Sequence, residues 1–325
     1  LYEFAGSNPA LCTPNENRRE TVIGVRCRLN AYPFSTLLSL WMADYWEGLE
    51  ELPDSKCSEE WVRVSDAVSL RVLSWTPNDE SLHQLEPVVM IPGWGSLFEG
   101  WKPLVKGWVT RRRVLYIETR EKKSARFQKK RLSAKDFSIE RFSKDIVEVL
   151  AHFNLTNEFH LFSSSLGSTL LIDSLQRQEI DALSSIFVAP NEHFKLPLWS
   201  RIIIKLPLPI LVLKFMRSIT LKAIEKKVKE EGQRIRYRRA LMEQDLVRWR
   251  ASARSLIAYS LPEDLSNITV PCAIFAAQSD KLHAIGAAKS ITERIPGAVM
   301  IEVPSNQYAH EADLLVEVDA FYETL

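Results

Sequence analysis

The stretch Phe159-His160-Leu161-Phe162-Ser163-Ser164-Ser165-Leu166-Gly167-Ser168 constrains the fold more than any other part of the chain. Four residues of strand character run into small ones, and the helix-like run Thr169-Leu170-Leu171-Ile172-Asp173-Ser174-Leu175 follows at once. A strand that turns straight into a helix holds its turn residue in a strained backbone region, with the side chain projecting outward. Bulky groups two positions away on either side would collide, so small residues are needed there. Ser165 meets that condition, with Ser163 before it and Gly167 after it. It also stands at a helix N-terminus, where unsatisfied N–H groups and the helix dipole favour developing negative charge. Taken alone, the stretch reads equally well as a phosphate-binding or purely structural turn.

Its surroundings narrow the reading. Trp61-Val62-Arg63-Val64 and the run from Val68 to Trp75 alternate apolar and polar residues around Ser65-Asp66-Ala67, a hairpin signal. Pro87-Val88-Val89-Met90-Ile91 is continuously apolar, as a strand buried on both faces should be. It ends in the Gly-bearing loop Pro92-Gly93-Trp94-Gly95-Ser96, ahead of a helix expected over 97–110. A strand at 113–117 and a helix at 138–153 follow, the helix with Ile139, Phe142, Ile146, Val149 and Leu150 on one face. After a strand at 184–189 the alternation stops for about 75 residues. It resumes with strands at 272–276 and 298–303, a helix at 284–295 between them, and a closing helix from Glu311. Repeated strand–helix units predict an α/β fold with a doubly wound, mostly parallel sheet and right-handed crossovers. A length of 325 residues can bury a large core, and 46% hydrophobic with 26% charged residues excludes disordered and collagen-like classes.

A serine hydroxyl is a poor nucleophile at neutral pH and needs a general base that a carboxylate orients. In an open sheet the reactive groups gather at the carboxyl ends of the strands. The loop after 272–276 carries Ala277-Gln278-Ser279-Asp280-Lys281-Leu282, and the loop after 298–303 carries Tyr308-Ala309-His310-Glu311. The elbow-like turn and the chain order Ser165, Asp280, His310 resemble the α/β-hydrolase superfamily. Of the six histidines only His310 follows the final strand. The resemblance covers roughly residues 60–325 and implies Ser165 as nucleophile, His310 as base and Asp280 as its orienting carboxylate. It implies an oxyanion hole from the amides of Leu166 and Trp94, with Gly93, Gly95 and Ser164 facing substrate. Asp280 also reads as a simple helix cap. The pattern departs from the superfamily at Ser163, where Gly is usual, and at Pro92, where His is usual. It departs again at Glu118-Thr119-Arg120-Glu121-Lys122, which stands in place of Asp-x-Arg-Gly-x-Gly. Serine rather than aspartate at the elbow argues against dehalogenase and epoxide hydrolase chemistry, both of which pass through an alkyl ester on a carboxylate.

The resemblance also places a helical cap in the interrupted stretch. The expected organisation is an N-terminal extension over 1–60, a core over 61–190 and 266–325, and a cap over 191–265. Residues 1–30 read as irregular, and Leu37, Leu38, Leu40, Trp41, Tyr45, Trp46 and Leu49 fit an amphipathic helix packed on the domain. Between Arg201 and Arg250 there are 14 Lys and Arg against 5 Asp and Glu, although the whole chain has net charge +1. The first reading of that stretch is a cap with its apolar side on the sheet and its charges in water. Apolar helices studded with cations also line acyl pockets or lie on anionic bilayers. Arg111-Arg112-Arg113 and the cluster from Lys122 to Arg131 add positive charge that, facing the cleft, would suit an anionic acyl carrier.

The expected activity is therefore a serine hydrolase cleaving carboxylic esters of apolar acyl groups through an acyl-enzyme, and the expected partner is a small-molecule acyl ester or thioester. A thioesterase or acyltransferase with the same residues is the first alternative, and a non-catalytic ligand-binding protein the second. No cofactor or metal is expected: Cys12, Cys27, Cys57 and Cys272 lack CxxC spacing. No recognition motif accompanies the basic run, so no nucleic-acid partner is expected. No segment reads as a signal peptide or a membrane span. The expected location is cytoplasmic with peripheral membrane contact through the cap, and the oligomeric state is left open.

Overall fold

A computed structural model describes residue 52 and residues 54–129, 131–194, 198–206, 208–277 and 285–325. The N-terminal amphipathic helix expected around residues 33–49 lies outside the described residues, as does Asp280.

The described strands form one sheet in the order β1-β2-β4-β3-β6-β7-β8-β9. Its first half is β1 (Ser55–Val64), β2 (Val68–Pro77), β3 (Val88–Ile91) and β4 (Val114–Ile117). Its second half is β6 (His160–Ser164), β7 (Ser184–Val188), β8 (Cys272–Ala277) and β9 (Val299–Val303), while the short β5 (Arg126–Phe127) pairs with β2. β1, β2 and β4 pair antiparallel, and the run β4-β3-β6-β7-β8-β9 is parallel throughout.

Each parallel strand feeds two cores, because successive side chains point to opposite faces. Val89, Ile91, Leu115, Ile117, Leu161 and Phe187 enter one core, covered by helices α2 (Ile139–His152) and α3 (Leu166–Gln176). Val88, Met90, Val114, Tyr116, Phe162 and Ile186 enter the other, covered by α1 (Lys102–Trp108) and α9 (Leu315–Tyr322). Burial on both faces accounts for the continuous apolar runs in the sequence. α1 is shorter than the helix expected at 97–110, since Phe98–Gly100 forms a 3-10 turn and Pro103 favours the first helical turn. β1 starts six residues before the expected Trp61, through the polar run Ser55–Glu60 that hides its alternation.

Among the described residues four helices lie between β7 and β8: α4 (Leu198–Ile203), α5 (Ile210–Lys227), α6 (Glu231–Glu243) and α7 (Leu246–Leu256). They are tied to the strand-end loops. Arg248 donates to the carbonyls of Lys122 at 2.6 Å and Ala125 at 2.8 Å. Ala251 and Leu256 of α7 belong to the first core. α8 (Ile285–Arg294) then links β8 to β9.

β6 opens with a histidine that makes acid stability testable. His160 is 7% exposed, stacks on Tyr322 at 4.1 Å and shares a 2.8 Å hydrogen bond between Nδ1 and Ser184 Oγ. Burial, aided by Arg112, pushes its imidazole down from 6.5 to about 4. The unfolded chain therefore binds the extra proton first, so this group costs no stability above about pH 6.5 and progressively more as pH falls towards about 4. The expected loss is up to about 2–3 kcal/mol across that window. Urea unfolding of wild type beside His160→Gln should show the variant with the flatter acid limb.

Candidate active site

Strand order reverses at β3, which has β4 on one side and β6 on the other. Loops leaving adjacent parallel strands at such a point form a crevice at their carboxyl ends. The register pairs Ile91 with Ser163, which brings the loop starting at Pro92 beside the turn at Ser165.

Ser165 has φ 50° and ψ −110°, a conformation that non-glycine residues rarely adopt. Its N–H donates to Val188 O on β7 at 2.9 Å, and its carbonyl accepts Thr169 N at 3.0 Å. Strand and helix thus hold the strained residue from both sides. Leu166 is the first residue of α3, so its N–H has no acceptor within the helix. Gly167 is required by contact: a Cβ there would sit 2.2 Å from Ile91 O. Ser163 fits where Gly is usual because its buried hydroxyl donates to Ser168 Oγ at 3.1 Å and reaches Ile186 O at 3.2 Å.

Gly93 packs directly on this turn, since a Cβ on it would stand 3.1 Å from Ser165 Cβ and 3.4 Å from Ser164 O. Its carbonyl accepts Lys122 Nζ at 2.6 Å, and Lys122 also pairs with Glu121 at 2.8 Å. Lys122 is buried, so it is not part of the cationic surface that the sequence suggested. The whole segment Glu118–Lys122 is buried, and four of its five residues are charged. Arg120 makes a fork onto Asp145 of α2, with Nε to Oδ2 at 2.6 Å and Nη2 to Oδ1 at 2.5 Å. Burial raises the Asp145 carboxyl to about 6 and the Arg120 hydrogen bonds oppose that rise, so the pair is ionised at neutral pH.

Trp94 borders the cavity, and its ring is also a tie to the inserted helices. It stacks on Trp249 at 5.1 Å and donates from Nε1 to Ser252 Oγ at 3.0 Å, both on α7. Gly95 has φ +66°, and its carbonyl accepts Gln244 Nε2 at 2.9 Å. Among the described residues the cavity wall includes Gly93, Trp94, Ser164, Ser165 and His310, whereas Gly95 stands outside it. Gln244 of the inserted helical segment packs over Gly95 at this point.

His310 sits on the 3-10 turn Tyr308–His310 after β9 and is 9% exposed. Its ring stacks on Trp101 at 3.9 Å with planes 25° apart, and Trp101 is fixed by a 2.9 Å bond from Nε1 to Ser96 Oγ. Nδ1 lies 2.9 Å from the Asn306 carbonyl. A carbonyl only accepts, so the proton resides on Nδ1 and the lone pair on Nε2, the tautomer a general base needs.

Asn191 carries no sequence motif, yet its Nδ2 donates to Ser165 Oγ at 3.0 Å, and its carbonyl accepts Thr169 Oγ1 at 2.9 Å. Its one sequence signal is position, just past the carboxyl end of β7. The cavity encloses about 290 Å³. Leu97, Val188, Ile235 and Ala240 give it an apolar side. Arg236, bonded to Asn306 Oδ1 at 2.6 Å and to Gln307, gives it a polar one. Among the described residues no three His, Cys, Asp or Glu side chains group as metal ligands would.

No family model and no curated protein matches the sequence. Solved structures do resemble the fold. An esterase from Exiguobacterium antarcticum superposes with TM-score 0.66 at 17% identity, over 82% of this chain and all 100% of that one. A hydrolase from Pseudomonas aeruginosa gives 0.65 at 15%, over 82% and 98%. The potato epoxide hydrolase gives 0.60 at 13%, over 83% and 100%. Sheet order, strand-to-helix elbow and these superpositions agree: the chain has the α/β-hydrolase fold.

Proposed function

We propose that this protein is a serine hydrolase that cleaves carboxylic esters of apolar acyl groups through an acyl-enzyme. The observation that carries the reading is the pairing of a strained serine and an oriented imidazole on the wall of one cavity. Among the similar folds stand an esterase and an epoxide hydrolase. An oxygen nucleophile on Ser165 fits acyl transfer and not the alkyl-ester route that a carboxylate nucleophile takes.

In the proposed mechanism Ser165 Oγ attacks the ester carbonyl as His310 Nε2 takes its proton. The oxyanion is met by the Leu166 N–H at the start of α3 and by the Trp94 amide. His310 returns the proton to the leaving alkoxide, and a water activated by the same Nε2 hydrolyses the acyl-enzyme. The Asn306 carbonyl holds Nδ1–H, and Asp280 is assigned from chain order as the carboxylate that stabilises the imidazolium. Asn191 restrains Ser165 Oγ before attack. The apolar side of the cavity takes the acyl group.

The test is labelling with a fluorophosphonate, mapping of the adduct by peptide mass, and turnover of a p-nitrophenyl ester series by the same sample. The expected result is a single adduct on Ser165 and hydrolysis that depends on chain length. Folded protein that neither labels nor turns over any ester would overturn the reading in favour of a ligand-binding protein on this fold. Labelled protein that prefers thioesters or an alcohol acceptor would move it to a thioesterase or acyltransferase.

A further inference from the structure

α5 is apolar on the wrong side. Its inward face is marked by buried Leu213 and by Arg217, which donates to the Met242 carbonyl at the end of α6 at 3.2 Å. Leu211, Phe215 and Ile219 recur every four residues on the outward face, and Leu211 is 73% and Phe215 66% exposed. Ile202, Leu206 and Ile210 continue the exposed patch through the end of α4 and the turn before α5. A helix apolar all round is normally buried on all sides, and a contiguous exposed patch of this kind marks an interaction surface.

Charge says what covers it. From His193 to Ile224 the chain has no Asp or Glu and carries six cations, Lys195, Arg201, Lys205, Lys214, Arg217 and Lys222. Arg201, Lys205, Lys214 and Lys222 are exposed around the apolar patch. A protein partner would ordinarily be met by mixed charge at the rim. A rim of one sign around leucine, isoleucine and phenylalanine fits an anionic bilayer, with apolar side chains among the acyl chains and cations at the headgroups. Among the described residues no helix is long and apolar enough to cross a membrane, so the contact would be peripheral.

We propose that the face of α5, with the end of α4 and the turn between them, docks on a lipid surface rich in anionic headgroups. The docking is independent of the chemistry at Ser165. It also has a consequence for the site: α5 packs on α6, and α6 supplies Ile235, Arg236 and Ala240 to the cavity wall.

The experiment is co-sedimentation of the full chain with vesicles of phosphatidylcholine alone or mixed with phosphatidylserine, at low and at raised salt. Two variants accompany wild type, Leu211→Glu with Phe215→Glu, and Lys205→Glu with Lys214→Glu. All four positions are exposed, so both variants should melt with wild type. Wild type should bind the anionic vesicles, at least about tenfold more weakly without phosphatidylserine, and should be released by salt. The lysine variant should bind at least about twentyfold more weakly, at about fivefold per basic side chain. The apolar variant should not bind measurably. Failure of wild type to bind, equal binding to both vesicle types, or a variant that binds as wild type does would overturn the proposal. So would a lipid-free dimer that Leu211→Glu with Phe215→Glu dissolves, which would assign the face to a second copy of the chain. Ser165→Ala should bind vesicles as wild type does, so loss of turnover and loss of docking are read separately.

Discussion

Ser165→Ala and His310→Ala should each lower kcat on p-nitrophenyl esters by about ten-thousandfold, and the double variant should lose no more than either alone. In the proposed mechanism the serine supplies the electron pair and the imidazole makes it available, so removing one leaves the other without a task. What remains is binding and the oxyanion donors, untouched by either change. KM should therefore move little. Non-additivity separates this role from a structural one. His310 is buried against Trp101 and hydrogen-bonded to Asn306, and its loss could loosen the turn after β9. Two independent losses through misfolding would multiply, and His310→Ala would also melt earlier than Ser165→Ala. Multiplied effects, or a His310 variant that keeps wild-type turnover, would remove the proposed pair from the mechanism.

The elements that position this pair were legible because each follows from a simple rule. Strands β3, β4 and β8 are buried on both faces and read as unbroken apolar runs, whereas β6 and β7 combine a buried histidine and serines with their apolar residues. The turn at Ser165 was legible because few side chains tolerate its geometry, and Ser163 in place of Gly is accommodated by the small Ser168 opposite. That His310 reaches the cavity wall follows from its place after the last strand. Asn191 was not legible, since a single polar residue behind Pro190 shows no pattern until the neighbouring strand is beside it. The charge of Lys122 misled for a related reason: composition reports charge and not burial. The signal that was present lay on α2, where Asp145 falls within the stripe of Phe142, Ile146 and Val149 and is 1% exposed. An acid in an apolar stripe asks for a buried cation, and Arg120 is that cation.

Asp145→Ala should lower the free energy of unfolding by about 3–5 kcal/mol in urea, because it strands the Arg120 guanidinium in the core. The paired replacement Arg120→Met with Asp145→Leu should recover most of that loss, since two apolar groups of similar volume need no desolvation. Recovery of stability should not bring full recovery of turnover. Arg120 also donates to the Asp136 carbonyl at 2.8 Å, fixing the course of the segment whose Lys122 binds the carbonyl of Gly93, the residue packed on Ser165. Without the fork, the loop bearing the proposed oxyanion donor loses its reference point, and a displacement well under 1 Å costs about tenfold in kcat. A paired variant as stable and as active as wild type would reduce the ion pair to packing. An Asp145→Ala protein within about 1 kcal/mol of wild type would mean that carbonyl acceptors such as Asp136 alone satisfy the guanidinium. Stability restored with turnover still depressed is the outcome expected if the five consecutive buried polar residues set the geometry of the loop rather than strengthen the fold.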